Sequence, residues 1–233
     1  MQIPYFSRWH PLLALRYLPV IEMITDDDSV LEVGSGSLGI GPYLRREFTG
    51  VDLGFDGPDW SGMTKIKATA MELPFKNERF DVVVSLDMLE HLAPDKRKQA
   101  ISEMIRVAKE KVIIGVPVGK LAHEQDMRLD EHYLKIQGKR HPFLMEQTEY
   151  GLPSVDQLSD FITESCGRFK KNYKLKIIPN INLKLREWMM RGWISKNFIS
   201  NIFHRKLLLL VIPILRQMNQ PPTYRQFFVV EFY

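Results

Sequence analysis

Three near-continuous apolar runs, Ser29-Val-Leu-Glu-Val33, Phe80-Asp-Val-Val-Val-Ser85 and Lys111-Val-Ile-Ile-Gly-Val116, recur along the first half of the chain. The first reads as a short strand ending in glycine-rich turn chemistry, and the second and third as buried strands. The segments between them carry helical spacing. Ile40, Tyr43, Leu44 and Phe48 predict a helix over 40–48, and Ala100/Ile101, Met104/Ile105 and Ala108 predict another over 94–109, opened by Pro94 and Asp95. Gly50–Leu53 and Lys65–Ala68 read as two further strands. Strands alternating with helices build a parallel α/β sheet, which binds ligands at the carboxyl ends of its strands where the strand order reverses. Ahead of the sheet, Leu12, Leu15, Leu18 and Ile21 predict a helix over 11–24, with Pro19 expected to kink or divide it.

Past residue 117 the pattern loosens. Residues 119–150 read as an irregular polar stretch, a lid-like insertion over the site. Ser154 to Cys166 predicts a helix, and 173–179 and 226–232 predict two closing strands. Residues 180–225 between those strands are too many for a tight hairpin and are expected to form helices of their own. The whole of 1–233 is read as one domain carrying these two insertions. An apolar share of 45% and a charged share of 26% exclude a disordered or fibrous chain. Cys166 is the only cysteine, which excludes an intrachain disulfide and a multi-cysteine zinc site. The longest apolar run, Leu207–Leu215, is nine residues against the roughly twenty of a membrane span, and Arg8 and Arg16 interrupt the apolar N-terminus. The expectation is a reduced, cytoplasmic protein with nothing cleaved.

Charge is unevenly spread. Between Arg168 and Arg216 twelve Lys/Arg face one acid, Glu187, a net +11, whereas the rest of the chain carries −7. Such asymmetry points to an anionic partner for one face.

The chemistry-bearing segment is Gly34-Ser-Gly-Ser-Leu-Gly39, a G-x-G-x-x-G turn between a strand and a helix. Glycines let the backbone turn sharply and approach a ligand, and free N–H groups at the helix start face it. Asp52, ending the second strand, can accept hydrogen bonds from two ribose hydroxyls. These features fit a nicotinamide dinucleotide or an adenosine-containing cofactor alike. Glu32 separates them, because a carboxylate two residues before the turn suits a cationic amino group and repels a pyrophosphate. Ala70-Met-Glu-Leu-Pro-Phe75 then follows the third strand, and Phe80-Asp-Val-Val-Val-Ser-Leu-Asp-Met-Leu-Glu-His-Leu92 comes after it.

Together these residues resemble the class I S-adenosylmethionine-dependent methyltransferases, in particular the branch acting on small molecules, quinones and lipids. The resemblance spans Val30 to Pro117 and resumes over Gly151 to Ile178. It implies a Rossmann-like, mostly parallel seven-stranded sheet with helices on both faces and an antiparallel last strand. It implies S-adenosylmethionine as cofactor, with Glu32, Gly34 and Gly36 around the methionine moiety and Ser35 between the two glycines. Asp52 would bind the ribose, Ala70 and Met71 would flank the adenine, and Leu86 would line the far side. Thr69 departs from the family's usual acid, so adenine is expected to be held by backbone groups.

A sulfonium is an activated methyl donor, so rate comes from placing the acceptor in line and excluding water. A general base helps only where the acceptor atom carries a proton; His91 is the candidate, with a helix-bracing role as the alternative. The cluster His123, Glu124, Asp126, Asp130, Glu131, His132 and His141 lacks a ligand spacing, and no metal is expected. Two readings of the basic segment stay open. Its helices pack with lysines outward, or Trp188, Trp193 and Leu207–Leu215 rest on anionic lipid headgroups at the inner face of the membrane. No nucleic-acid module is present. The expected activity is methyl transfer to a small-molecule or lipid-linked acceptor, at oxygen. A nicotinamide-dependent oxidoreductase and a non-catalytic S-adenosylmethionine-binding protein are the alternatives.

Overall fold

A computed structural model describes residues 9–142, 144–145 and 150–233. Residues 1–8, and 143 and 146–149 of the expected insertion, lie outside the described residues, so the reading of Arg8 and of the extreme N-terminus is not addressed.

The apolar runs form the centre of a seven-stranded sheet in the order β3-β2-β1-β4-β5-β7-β6. The strands are β1 (Val30–Val33), β2 (Phe48–Asp52), β3 (Met63–Lys67), β4 (Phe80–Leu86), β5 (Ala108–Pro117), β6 (Tyr173–Asn182) and β7 (Thr223–Phe232). The first five pair in parallel, with Leu31 opposite Thr49 on one side and Val83 on the other. β7 runs antiparallel to both β5 and β6. Both faces are covered, and successive side chains divide between two cores. Val82, Val84, Ile113, Phe227 and Val229 enter one, while Val83, Val112, Ile114, Phe228 and Val230 enter the other. That division explains why these strands lack polar alternation.

Helix α1 (Pro11–Ile21) opens with His10 as N-cap, its ring accepting from the Leu12 N–H, and contributes Ala14, Leu15 and Val20 to the first core. It continues through Pro19, which falls in its last turn, where a missing N–H removes a single bond. The second core is roofed by α3 (Pro94–Val107) and α5 (Val155–Arg168), whose Leu158, Ile162 and Cys166 are buried. Burial pushes the Cys166 thiol up to about 11, making it a packing residue.

Two expectations are corrected. The helix expected over 40–48 is the single turn α2 (Gly41–Leu44), closed by Arg45 in the left-handed conformation, which releases Phe48 to begin β2. The polar stretch after residue 117 is not irregular: Gly119–Gln137 is a 19-residue helix, α4. Its acids conceal its inner face, because Asp126 and Asp130 point inward to Arg186 and Arg140. The basic segment folds as α6 (Leu183–Ile194), α7 (Phe198–Arg205), a 3-10 turn (Leu207–Val211) and the short α8 (Ile212–Leu215).

Candidate active site

Strand order reverses beside β1 and β4, and a cavity of about 870 Å³ opens at their carboxyl ends. Gly34, Ser35, Gly36, Asp52, Ala70, Met71, Leu86 and His91 all line it. These expected residues come from the ends of β2 and β4 and the turns that follow β1, β3 and β4, and the sheet brings them together. Gly36 has φ +56 and nothing within 4 Å of where a Cβ would stand, so the turn presents bare backbone to the cavity. Asp52 ties this turn to β2, with Oδ2 accepting from the Gly36 N–H at 2.7 Å and Oδ1 accepting from the Gly54 N–H at 3.2 Å. The Met71 N–H donates to Thr69 Oγ1 at 3.3 Å, so Thr69 shapes the loop after β3 through its hydroxyl.

Glu32 differs from its expected placement on the cavity wall. It is buried beneath the turn, and its Oε2 accepts from the Ile40 N–H at 2.6 Å. A Cβ at Gly39 would collide with that carboxylate. Burial pushes the Glu32 carboxyl up to about 7, against the opposing pull of the Ile40 N–H and Arg16. Glu32 supports the turn from below.

The other half of the cavity holds Asp87, which with His91 is expected from the sequence on the acceptor side, together with Arg16, Arg186 and Arg225, which pattern-reading missed. Asp87, following β4 with φ +52, accepts from Arg16 Nη1 at 2.8 Å and from Arg225 Nε at 2.5 Å. Burial alone would raise its pKa; the Arg225 and Arg16 guanidiniums outweigh that and hold it well below the usual carboxylate range. Arg186 on α6 donates to Gln125 Oε1 and Asp126 Oδ1, each at 2.7 Å, and lies 3.3 Å from the Tyr224 ring centre. Asp126 also accepts from the Tyr224 hydroxyl at 3.1 Å. A signal for this network existed: Arg16 is the lone charge on the otherwise apolar helix α1. Around it, Leu12, Leu13, Leu144, Ile181, Met190 and Trp193 give the cavity an apolar wall.

Three histidines reach the cavity. His10 is used as a helix cap and is lowered to about 4 by burial and the Arg205 and Lys206 charges. His141, also lowered by burial, packs edge-on against Tyr133 and Trp193. His91 sits in a 3-10 turn (Leu89–His91), its Nε2 4.0 Å from the buried Glu90 carboxyl, which burial and Asp87 push well up. His123 and His132 stand outside the lining, and no group of three metal-binding side chains occurs among the described residues.

Residues 31–114 match the family described as a methyltransferase domain. The segment from β1 to β5 is similar to a methyltransferase domain. The cofactor that goes with such a domain is S-adenosylmethionine, and the cavity fits it: a bare glycine turn, a carboxylate at the end of β2 and an apolar slot from Ala70 to Leu86 share one wall. An uncharacterised Haemophilus influenzae protein is 31% identical over 105 residues, covering 36% of this chain and 40% of that relative's length. Among solved structures, a Thermotoga maritima protein described as a possible histamine N-methyltransferase has a TM-score of 0.56 at 14% identity, covering 98% of this chain and 92% of its own. Haemonchus contortus phosphoethanolamine N-methyltransferase 2, bound to S-adenosylhomocysteine, has a TM-score of 0.53 at 15% identity, covering 95% of this chain and 52% of its own. The cyclase SpnF has a TM-score of 0.51 at 14% identity, covering 91% and 79%. These likenesses establish the Rossmann-like methyltransferase fold, and SpnF shows that the fold alone does not fix the reaction.

Proposed function

We propose that the methyltransferase domain transfers a methyl group from S-adenosylmethionine to a hydroxyl of a small-molecule or lipid-linked acceptor. The observation that supports this reading is a single cavity with two unlike halves, the glycine turn with Asp52 and an apolar wall from Leu12 to Trp193. When bound, S-adenosylmethionine supplies an already activated methyl group. The turn from Gly34 to Gly36 and Asp52 would hold its methionine and ribose, and Ala70, Met71 and Leu86 would flank its adenine. Glu32 keeps the turn in shape from beneath.

On the acceptor side, Leu12, Leu13, Ile181, Met190 and Trp193 exclude water from the reacting atoms. An apolar wall suits an acceptor with a hydrocarbon portion, the quinone or lipid class. A hydroxyl must shed a proton as it attacks, and His91 on the same lining is the proposed acceptor of it, because His10 caps α1 and His141 packs against Tyr133 and Trp193.

Thermal shift with S-adenosylmethionine, S-adenosylhomocysteine and NAD tests the cofactor. A ligand at a hundred times its dissociation constant adds about 2.7 kcal/mol, and the two adenosyl compounds are expected to stabilise while NAD does not. Labelled methyl transfer into separated lipid and polar extract fractions then tests the acceptor. Stabilisation by NAD alone would return the oxidoreductase reading. Binding of S-adenosylhomocysteine with no transfer into any fraction would make this a non-catalytic binder.

A further inference from the structure

Helix α7 has no buried residue, although it is built from Phe-Ile-Ser-Asn-Ile-Phe-His-Arg. Phe198 and Ile199 are 76% and 77% exposed, and beyond the helix Leu210 is 71% and Ile214 64% exposed. Contiguous apolar surface of this kind needs an explanation in terms of a partner. The segment has two sides. Leu208, Ile212 and Leu215 enter the core beside α1, leaving Leu207, Leu210, Val211 and Ile214 facing out.

Charge identifies what this face meets. Between Glu187 and Glu231 the chain has no acid, and Lys196, Arg205 and Lys206 lie beside Phe198 and Ile202, whereas Arg191 and Arg216 are engaged by Glu187 and Glu22. A shallow cleft of about 340 Å³ lies within the patch, lined by Ser195, Lys196, Asn201, Arg205 and Lys206 together with Phe198 and Ile202. Cationic and hydroxyl groups beside exposed aromatic and aliphatic side chains match a phosphate headgroup whose acyl chains lie over Phe198 and Ile202. Phe198–Leu215 is long and apolar enough to cross a bilayer by length and composition. Its backbone nevertheless breaks from helical geometry at Lys206 and Val211, and its inner residues are held in the core. A segment so anchored lies along a membrane surface and does not span it.

We propose that α7, the following 3-10 turn and α8 dock the protein on an anionic phospholipid bilayer, with the cleft at Lys196 and Arg205 taking a lipid headgroup phosphate. The docking face adjoins the acceptor half of the cavity. The Arg205 guanidinium lies 5.2 Å over the Trp193 ring, and Trp193 and Met190 on α6 line the cavity. A lipid-linked acceptor would reach the cavity along that edge. This last step rests on the proposed function, whereas the docking itself does not.

Cosedimentation with vesicles of phosphatidylglycerol and phosphatidylcholine, against phosphatidylcholine alone, each at low and high salt, tests it. The wild-type chain is expected to pellet with the anionic vesicles and to be released at least severalfold by salt, through screening of the basic rim. The double variants Phe198→Ser/Ile199→Ser and Lys196→Glu/Arg205→Glu should each reduce pelleting at least tenfold. All four side chains lie outside the cofactor half, so S-adenosylhomocysteine affinity should be unchanged in both, which separates failure of docking from failure of the cofactor assignment. Negligible pelleting in all four conditions would overturn the proposal. So would variants that pellet like the wild type. A dimer in sedimentation equilibrium that dissociates on Phe198→Ser/Ile199→Ser, without vesicle binding, would assign the face to a second copy of the chain.

Discussion

Glu32 is a carboxylate that folding keeps away from water, and this gives it a pH signature. Its folded pKa is about 7 against an ordinary value of 4.5. Below pH 4.5 both folded and unfolded chains hold the proton, and the group makes no difference. As pH rises towards 7 the unfolded chain releases a proton that the folded chain keeps, so stability falls, by a total on the order of 3 kcal/mol. Above 7 the loss is complete. Glu32→Gln keeps an oxygen to accept from the Ile40 N–H and removes the ionisation. The variant should therefore lose less stability than wild type between pH 4.5 and 7, and exceed it at pH 8, in urea denaturation. Parallel curves for the two proteins across that window would show that Glu32 does not titrate there.

At the scale of elements, the glycine turn depends on being tied to β2 as well as on its own glycines. Asp52 holds the Gly36 N–H through Oδ2 and lines the cavity, and in the proposed function its carboxylate would also bind the ribose, two duties that substitution can separate. Asp52→Asn keeps an acceptor for the turn and loses the charge. Asp52→Ala loses both. Charge-assisted hydrogen bonds contribute on the order of 1.5–3 kcal/mol, so S-adenosylhomocysteine should bind about ten- to a hundredfold more weakly to Asp52→Ala, with Asp52→Asn intermediate, by calorimetric titration. Equal affinity for wild type and Asp52→Ala would refute the assignment.

The same elements explain what the sequence made legible. β1, β4 and β5 were readable because burial on both faces leaves near-continuous apolar runs, and the turn was readable because its geometry demands glycine. Helix α4 was not, since Asp126 and Asp130 place charge on its inner face and the periodicity rule treats charge as outward. The acceptor half was not readable either. Asp87 is placed there by its position after β4, but Arg16, Arg186 and Arg225 lie far apart along the chain and acquire meaning only when the sheet assembles them.

Across the whole molecule, Asp87 joins its two ends to its middle. Arg16 lies 71 positions before it and Arg225 138 positions after it, so one carboxylate connects the first helix, the loop after the central strand and the final strand. Asn180 on β6 extends the connection, its Oδ1 accepting from Arg225 Nη1 at 3.0 Å and its Nδ2 donating to the Leu15 carbonyl at 3.1 Å. Removing the carboxylate leaves the buried Arg225 guanidinium and the half-buried Arg16 one without this counter-charge. Such uncompensated burial costs about 3–5 kcal/mol, a large part of the 5–15 kcal/mol that keeps a typical domain folded. Asp87→Ala should lower the unfolding free energy by that amount, and the loss should be uneven. Helix α1 reaches the cavity through Arg16, so its amides should exchange faster in the variant, whereas β1 and β4, held by ladders on both sides, should keep their relative protection. Hydrogen exchange read by mass spectrometry distinguishes the outcomes. Faster exchange in α1 beyond that of the central strands identifies Asp87 as the clamp on the acceptor side of the cavity. A uniform loss, or none, would mean that α1 is held by its apolar packing alone.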